Sequence, residues 1–145
     1  MPQPFLDLSL IVTRLQAEVS ALKRVDVAVD SAAARDDLKN IYPAAYVLPM
    51  RESAGPNALA NAVSQNVTHT FGVLTAVQSL NDLTGKRARD TLTPIRGDIG
   101  DALLNWQPGA DYTPCEFSGG RLLGLTDRVM WWLDEYRTRF EVRMT

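Results

Sequence analysis

Apolar residues recur at three- and four-residue spacing near the start of the chain, at Leu8, Ile11, Val12, Leu15, Val19 and Leu22, with Arg14, Gln16, Glu18 and Lys23 between them. That rhythm lays one apolar stripe along a helix and predicts an amphipathic first element, with Asp7 or Ser9 placed to cap it. Val25, Val27 and Val29 then alternate with Asp26 and Ala28, which predicts a short strand. Asp30-Ser31 offers a cap for a short helix over 32–39, and Pro43 ends it. Residues 44–50 are apolar enough for a central strand, and a loop over 52–62 follows, punctuated by Gly55-Pro56-Asn57.

The clearest period-two segment comes next. Gln65, Val67, His69, Phe71, Val73, Thr75 and Val77 share one face, and Asn66, Thr68, Thr70, Gly72, Leu74, Ala76 and Gln78 share the other. The first face is mainly apolar and the second starts polar, which predicts an antiparallel sheet covered by helices on one side. Residues 81–85 read as a turn with a helix cap built in. Ala88, Leu92, Ile95, Ile99, Leu103 and Trp106 then mark a helical stripe containing Pro94 and weakened by Gly97 and Gly100. One kinked helix is expected, two helices being the alternative, with Pro108-Gly109 as the stop.

Segments 113–117 and 121–125 are expected to pair as a hairpin across Ser118-Gly119-Gly120. The last strand, Val129–Met144, carries Val129, Trp131 and Leu133 on one face and then Tyr136, Thr138, Phe140, Val142 and Met144, so its parity changes near Asp134-Glu135 and predicts a bulge or break. The fold expected is α/β in the α+β sense: one domain over residues 1–145, with a mainly antiparallel or mixed sheet of four to five strands and helices packed on one face. The chain runs out inside a strand with no tail, so a sheet border is expected to be held by something, a second copy of the chain being one candidate.

An apolar content of 46% with 22% charged residues in a 145-residue chain suits a packed globular core. A net charge of −2 argues against a protein that grips nucleic acid through its phosphates. The one cysteine, Cys115, excludes an intrachain disulfide and reads as a small buried apolar residue. No stretch approaches the roughly 18 apolar residues a membrane helix needs, and residues 1–6 lack the flank of a signal peptide, so synthesis in the cytoplasm and no membrane partner are expected.

Candidate chemistry is sparse. His69, the only histidine, sits on the apolar face of its strand without a second His, a Cys or a carboxylate at ligand spacing, and reads as packed or interfacial. Gly85-Lys86 resembles the end of a phosphate-binding loop, but Leu80 stands where the first glycine is needed and Arg87 follows the lysine. Gly119-Gly120 with Gly124 lacks dinucleotide spacing. Asp98 with Asp101, and Asp134 with Glu135, read as solvated faces or salt-bridge partners. No catalytic, cofactor or metal residue is assigned, and no enzyme is expected. Arg128, Arg137, Arg139 and Arg143 interleave with Trp131, Trp132, Tyr136 and Phe140, and Asp127, Asp134, Glu135 and Glu141 offset their charge. That ribbon reads as a nucleic-acid strip, a subunit interface or ordinary sheet surface, the balanced charge and aromatics favouring an interface.

Four features in this order resemble the tail terminator, or tail completion, proteins of long-tailed bacteriophages, the family that includes the lambda tail terminator. They are the amphipathic opening helix and the strand Val67-Thr68-His69-Thr70-Phe71-Gly72-Val73-Leu74, then the helix closing on Ala102-Leu103-Leu104-Asn105-Trp106-Gln107-Pro108, and last the Gly120-Arg121-Leu122-Leu123 turn before a final strand through Trp132-Leu133-Asp134-Glu135-Tyr136-Arg137-Thr138-Arg139. The resemblance spans nearly the whole chain. It implies a virion protein at the head–tail junction: a homo-oligomer, a hexameric ring on the head-proximal end of the tail tube, that ends tube polymerisation and supplies the surface for the head–tail connector. DNA would cross its lumen without specific binding. A head completion or neck protein that binds the portal is the alternative. Trp131, Trp132, Tyr136, Arg137, Arg139 and Phe140 are candidates for a subunit or tube interface. Arg51, Glu52, Pro56 and Asn57 are candidates for a loop reaching a neighbour or the lumen.

Overall fold

The computed structural model describes residues 5–37, 41–79 and 84–144. Its elements run α1 (Leu8–Glu18), β1 (Arg24–Val27), α2 (Ser31–Asp36), β2 (Ala44–Ala54), β3 (Val63–Gln78), α3 (Lys86–Leu103), β4 (Glu116–Thr126) and β5 (Val129–Met144). The five strands form one mixed sheet in the order β1-β2-β3-β5-β4, parallel between β1 and β2 and antiparallel elsewhere. The α+β reading of the sequence therefore holds.

Why these residues form these elements is visible locally. Asp7 caps α1, its Oδ1 accepting from the Ser9 amide at 3.0 Å, and Ile11 and Leu15 of that helix are fully buried. Asp30 caps α2 in the same way through the Ala33 amide at 2.8 Å. That helix ends at Asp36, with Asp37 as its C-terminal cap; positions 38–39 of the expected helix and 81–83 of the expected turn lie outside the described residues. In α3 the stripe Ala88, Leu92, Ile95, Ile99, Ala102 and Leu103 is buried against the sheet. Burying side chains of this size contributes about 1.5–3 kcal/mol each for the larger ones, enough to carry one continuous helix across Pro94, whose missing N–H leaves the Asp90 carbonyl without its helical donor.

Two cores result, one on each sheet face. The larger gathers Ile11, Leu15 and Val19 of α1, the α3 stripe, and Val47, Phe71, Val73, Val77, Met130 and Tyr136 from the sheet. The smaller, on the opposite face, joins Tyr46, Leu48, Leu74, Trp131 and Leu133 under Ala34 of α2. The two long helices thus share one face, and α2 covers one end of the other.

The cap expected within residues 81–85 falls on Gly85, in the left-handed region at φ 76° and making no side-chain cap bond. Three expectations are corrected. α3 stops at Leu103, well short of Pro108-Gly109, because Leu104 turns extended, Asn105 takes φ 65°, and the backbone crosses to Cys115 through Asn105 N to Cys115 O (3.0 Å) and Cys115 N to Trp106 O (2.8 Å). Ser118-Gly119-Gly120 is no hairpin turn: β4 passes straight through it, and the hairpin to β5 turns at Asp127 and Arg128, with φ of 53° and 65°, as a two-residue primed turn requires. Gly119, at φ 150°, sits at a bulge where the β4 register slips between Phe117 and Gly119. Finally, β5 pairs with β3 in unbroken register from Val129 to Met144, so the expected bulge near Asp134 is absent. The apolar parity changes there because a buried charged residue, Asp134, occupies the helix-side face.

Candidate functional site

The aromatic and arginine ribbon of β5 divides by face. Met130, Trp132, Asp134, Tyr136, Thr138 and Phe140 alternate toward the helices; Trp131, Leu133, Glu135, Arg137 and Arg139 point the other way. Trp131, Tyr136 and Phe140 are 3%, 2% and 3% exposed and belong to the subunit's own core, where Phe71 stacks on Tyr136 at 5.9 Å and Tyr112 meets Phe140 edge-on at 5.0 Å. Of the six ribbon candidates, Trp132 (half-buried), Arg137 and Arg139 (both exposed) reach the surface.

Trp132 belongs to a clamp that the sequence pattern did not reveal. Asp134, 2% exposed, accepts two hydrogen bonds from Arg96 of α3, Nε to Oδ2 at 2.9 Å and Nη2 to Oδ1 at 2.8 Å, and a third from Trp132 Nε1 at 2.9 Å. The guanidinium also lies over the Trp132 ring, 4.4 Å from its centre. The hydrogen bonds to Asp134 hold the Arg96 pKa above its ordinary value, outweighing burial. Burial, reinforced by the Asp134 charge, pushes the Tyr136 hydroxyl up to about 12. A Cβ on Gly120 of β4 would stand 2.3 Å from Asp134 Oδ1 and 3.0 Å from Trp132 Nε1, so this glycine is where β4 passes the clamp. The signal was present in the Gly119-Gly120 pair, which read as a turn.

The loop candidates separate. Arg51 and Glu52 are not in a loop: β2 runs on to Ala54, and they pair with Thr70 and His69 of β3 after a register slip at Pro49. The loop is 55–62, and Asn57 organises it with four hydrogen bonds: Nδ2 to the carbonyls of Leu59 and Ala62, both 2.8 Å, and Oδ1 from the amides of Leu59 (3.2 Å) and Ser64 (2.8 Å). No Asp, Glu, Lys or Arg occurs between Glu52 and His69, so the tip is uncharged, and Pro56, Asn57 and Leu59 are exposed on it.

His69 is buried, with Nδ1 3.4 Å from Glu52 Oε1, and its ring lies 6.0 Å from Tyr112. It forms one wall of an open depression of about 380 Å³ with Leu6, Leu8, Pro49, Met50 and Phe71. Among the described residues no group of three His, Cys, Asp or Glu side chains converges as a metal site. Cys115 is buried, and desolvation pushes its thiol up to about 12. On the sheet face opposite α1 and α3, Met50, Arg51, Thr68, Thr70, Ser118, Glu135 and Arg137 line a polar depression of about 390 Å³.

The sheet ends on two unlike strands. β1 is short, and two of its outward backbone groups are met by side chains, Val27 N by Asp26 Oδ1 at 2.8 Å and Val25 O by Gln16 Nε2 at 3.3 Å. β4 is long and exposes Phe117, Leu122 and Leu125 at 47%, 50% and 42%.

The family described as phage tail terminator protein matches residues 1–145. The chain belongs to that family. No curated protein matches the sequence. Among solved structures, the chain shares its fold with a chain from a structure described as the virion of a native gene transfer agent particle, at 15% identity and a TM-score of 0.52, the match covering 91% of this chain and 92% of that one. Tail terminator membership makes it a structural protein of a phage virion, and within the described residues no helix is long and apolar enough to cross a membrane.

Proposed function

We propose that this chain closes as a ring, a hexamer in the family's manner, on the head-proximal end of the tail tube, where it ends tube polymerisation and presents the surface that joins the head. Family membership over residues 1–145 carries the reading. The long border strand β4, with three exposed apolar side chains, supports it, because a lone subunit leaves that border without a neighbour. Trp132, Arg137 and Arg139 on β5, and the uncharged tip carrying Pro56 and Asn57, are the proposed contact residues toward a neighbouring subunit, tube or connector. A net charge of −2 suits a lumen that passes DNA without holding it. No catalytic residue enters this role.

Deleting the gene tests it. Tails should polymerise past their normal length and remain headless, and wild-type protein supplied in trans should restore both length and joining. Tails of normal length in its absence overturn termination. Normal tails combined with leaky, DNA-losing heads would assign the protein to the portal instead.

A further inference from the structure

The open depression of about 380 Å³ beside the entry to α1 has apolar walls in Leu6, Leu8, Pro49, Met50 and Phe71, and His69 lines it with only 3% of its side chain exposed. Both ring nitrogens of His69 are buried without a hydrogen-bond partner, Nδ1 lying 3.4 Å from Glu52 Oε1. A buried polar group in that state carries a desolvation cost that a ligand able to bond it would relieve. Three exposed carboxylates come to the same place from separate segments: Asp7 before α1, Glu52 on β2 and Asp111 in the loop before β4. Their fields meet at the Tyr112 hydroxyl, which burial first, and then Asp111, Glu52 and Asp7, raise above its ordinary value. Tyr112 packs in turn on His69, with ring centres 6.0 Å apart.

Among the described residues, Asp7, Glu52 and Asp111 form no ion pair with an arginine or lysine. Of the basic residues on the elements that meet here, Arg14 of α1 is bridged to Glu18 at 3.3 Å and bonded to the Ala102 carbonyl at 2.9 Å. Arg51 borders the depression, but its register with Thr70 puts its side chain on the opposite sheet face, where it lines the second depression; Glu52, in register with His69, keeps to the helix side. Unpaired carboxylates call for a cation, and apolar walls call for an aliphatic stem beneath it. A neutral imidazole keeps one acceptor nitrogen, which an N–H donor satisfies and a carboxylate does not. We propose that this depression takes an arginine or lysine side chain from a neighbouring virion protein, its stem on Leu6, Leu8 and Phe71 and its charged head among Glu52, Asp7 and Asp111. The site stands apart from the ring reading, since nothing in its geometry depends on how the copies are arranged.

His69 is the only histidine, so its imidazole nitrogens give an unambiguous nuclear magnetic resonance signal in the full chain. Titration with millimolar acetyl-Leu-Arg-Leu-amide should shift that signal saturably. The same peptide with citrulline for arginine, alike in shape but uncharged, should bind about tenfold more weakly. Glu52→Gln, at a side chain 52% exposed, should weaken the arginine peptide about tenfold with an unchanged melting curve, and Arg51→Ala should not weaken it. No shift, equal binding of the citrulline peptide, or indifference to Glu52→Gln overturns the site. In particles, Glu52→Arg supplied to the deletion strain should lower the yield of joined heads and tails; a normal yield overturns the virion partner. A deletion that leaves tails at normal length overturns termination instead, and leaves the peptide result untouched.

Discussion

Gly120→Ala is the sharpest probe of the clamp between α3 and β5. The added methyl would sit 2.3 Å from Asp134 Oδ1, 3.0 Å from Trp132 Nε1 and 3.2 Å from Arg96 Nη2. Arg96 can swing aside, because its side chain is 32% exposed, whereas the Asp134 side chain, at 2%, cannot. The carboxylate must shift and loosen all three of its hydrogen bonds. Overpacking of this kind costs about 1–3 kcal/mol, and breaking a fully buried pair about 3–5 kcal/mol. Water reaching the part-exposed guanidinium recovers some of that, so about 2–4 kcal/mol is expected. For a chain of this size each kcal/mol lowers Tm by about 3 °C, giving a drop of about 6–12 °C. Urea unfolding followed by tryptophan fluorescence reads it directly, Trp132 being part of the clamp. The decisive comparison is a double-mutant cycle: in an Asp134→Ala background the methyl meets no carboxylate, and Gly120→Ala should cost under about 1 kcal/mol. Equal costs in both backgrounds refute the reasoning.

Thr75→Val should stabilise by about 1 kcal/mol in the same assay, since the Thr75 hydroxyl is fully buried with no hydrogen-bond partner. Ile99→Ala, at a fully buried position of α3, should destabilise by about 2–5 kcal/mol. Asn57→Ala should accelerate amide hydrogen exchange at Leu59 and Ser64, the two amides Asn57 Oδ1 accepts, while leaving the global melt nearly unchanged. Cys115, Tyr46 and Tyr136 are each pushed up to about 12, from 9.0 for the thiol and 10.0 for the phenols. The folded chain therefore keeps protons that the unfolded chain releases, so stability is full below pH 9 and falls as pH rises toward 12. Urea midpoints measured from pH 7 upward should show this alkaline limb; a flat profile contradicts the burial.

The elements whose partners lie within one or two turns of sequence were legible. The α1 stripe, its Asp7 cap, the alternation of β3 and the α3 stripe all express local periodicity, and the structure keeps them. What escaped depends on contacts between distant segments. The β4–β5 turn at Asp127-Arg128 lacks the usual glycine, and the glycines that looked like a turn serve a bulge and a close approach to Asp134. The parity change in β5 was visible, but its cause, a carboxylate held by an arginine 38 residues away, was not. The same limit governs the ribbon: alternation showed that Trp131 and Trp132 face opposite ways, and only packing shows that Trp131, Tyr136 and Phe140 are core while Trp132, Arg137 and Arg139 reach the surface. Arg51 and Glu52 escaped for a related reason, since pairing to β3 extends β2 into a polar stretch that reads as loop.

The account stands most directly on where this protein sits in the particle and in how many copies. Cryo-electron microscopy of intact virions, with density resolved at the junction of head and tail, is the measurement. The prediction is a closed ring of this chain seated on the last layer of the tail tube. Unpaired monomers, or density for this chain only inside the portal or at the far tip of the tail, would contradict it.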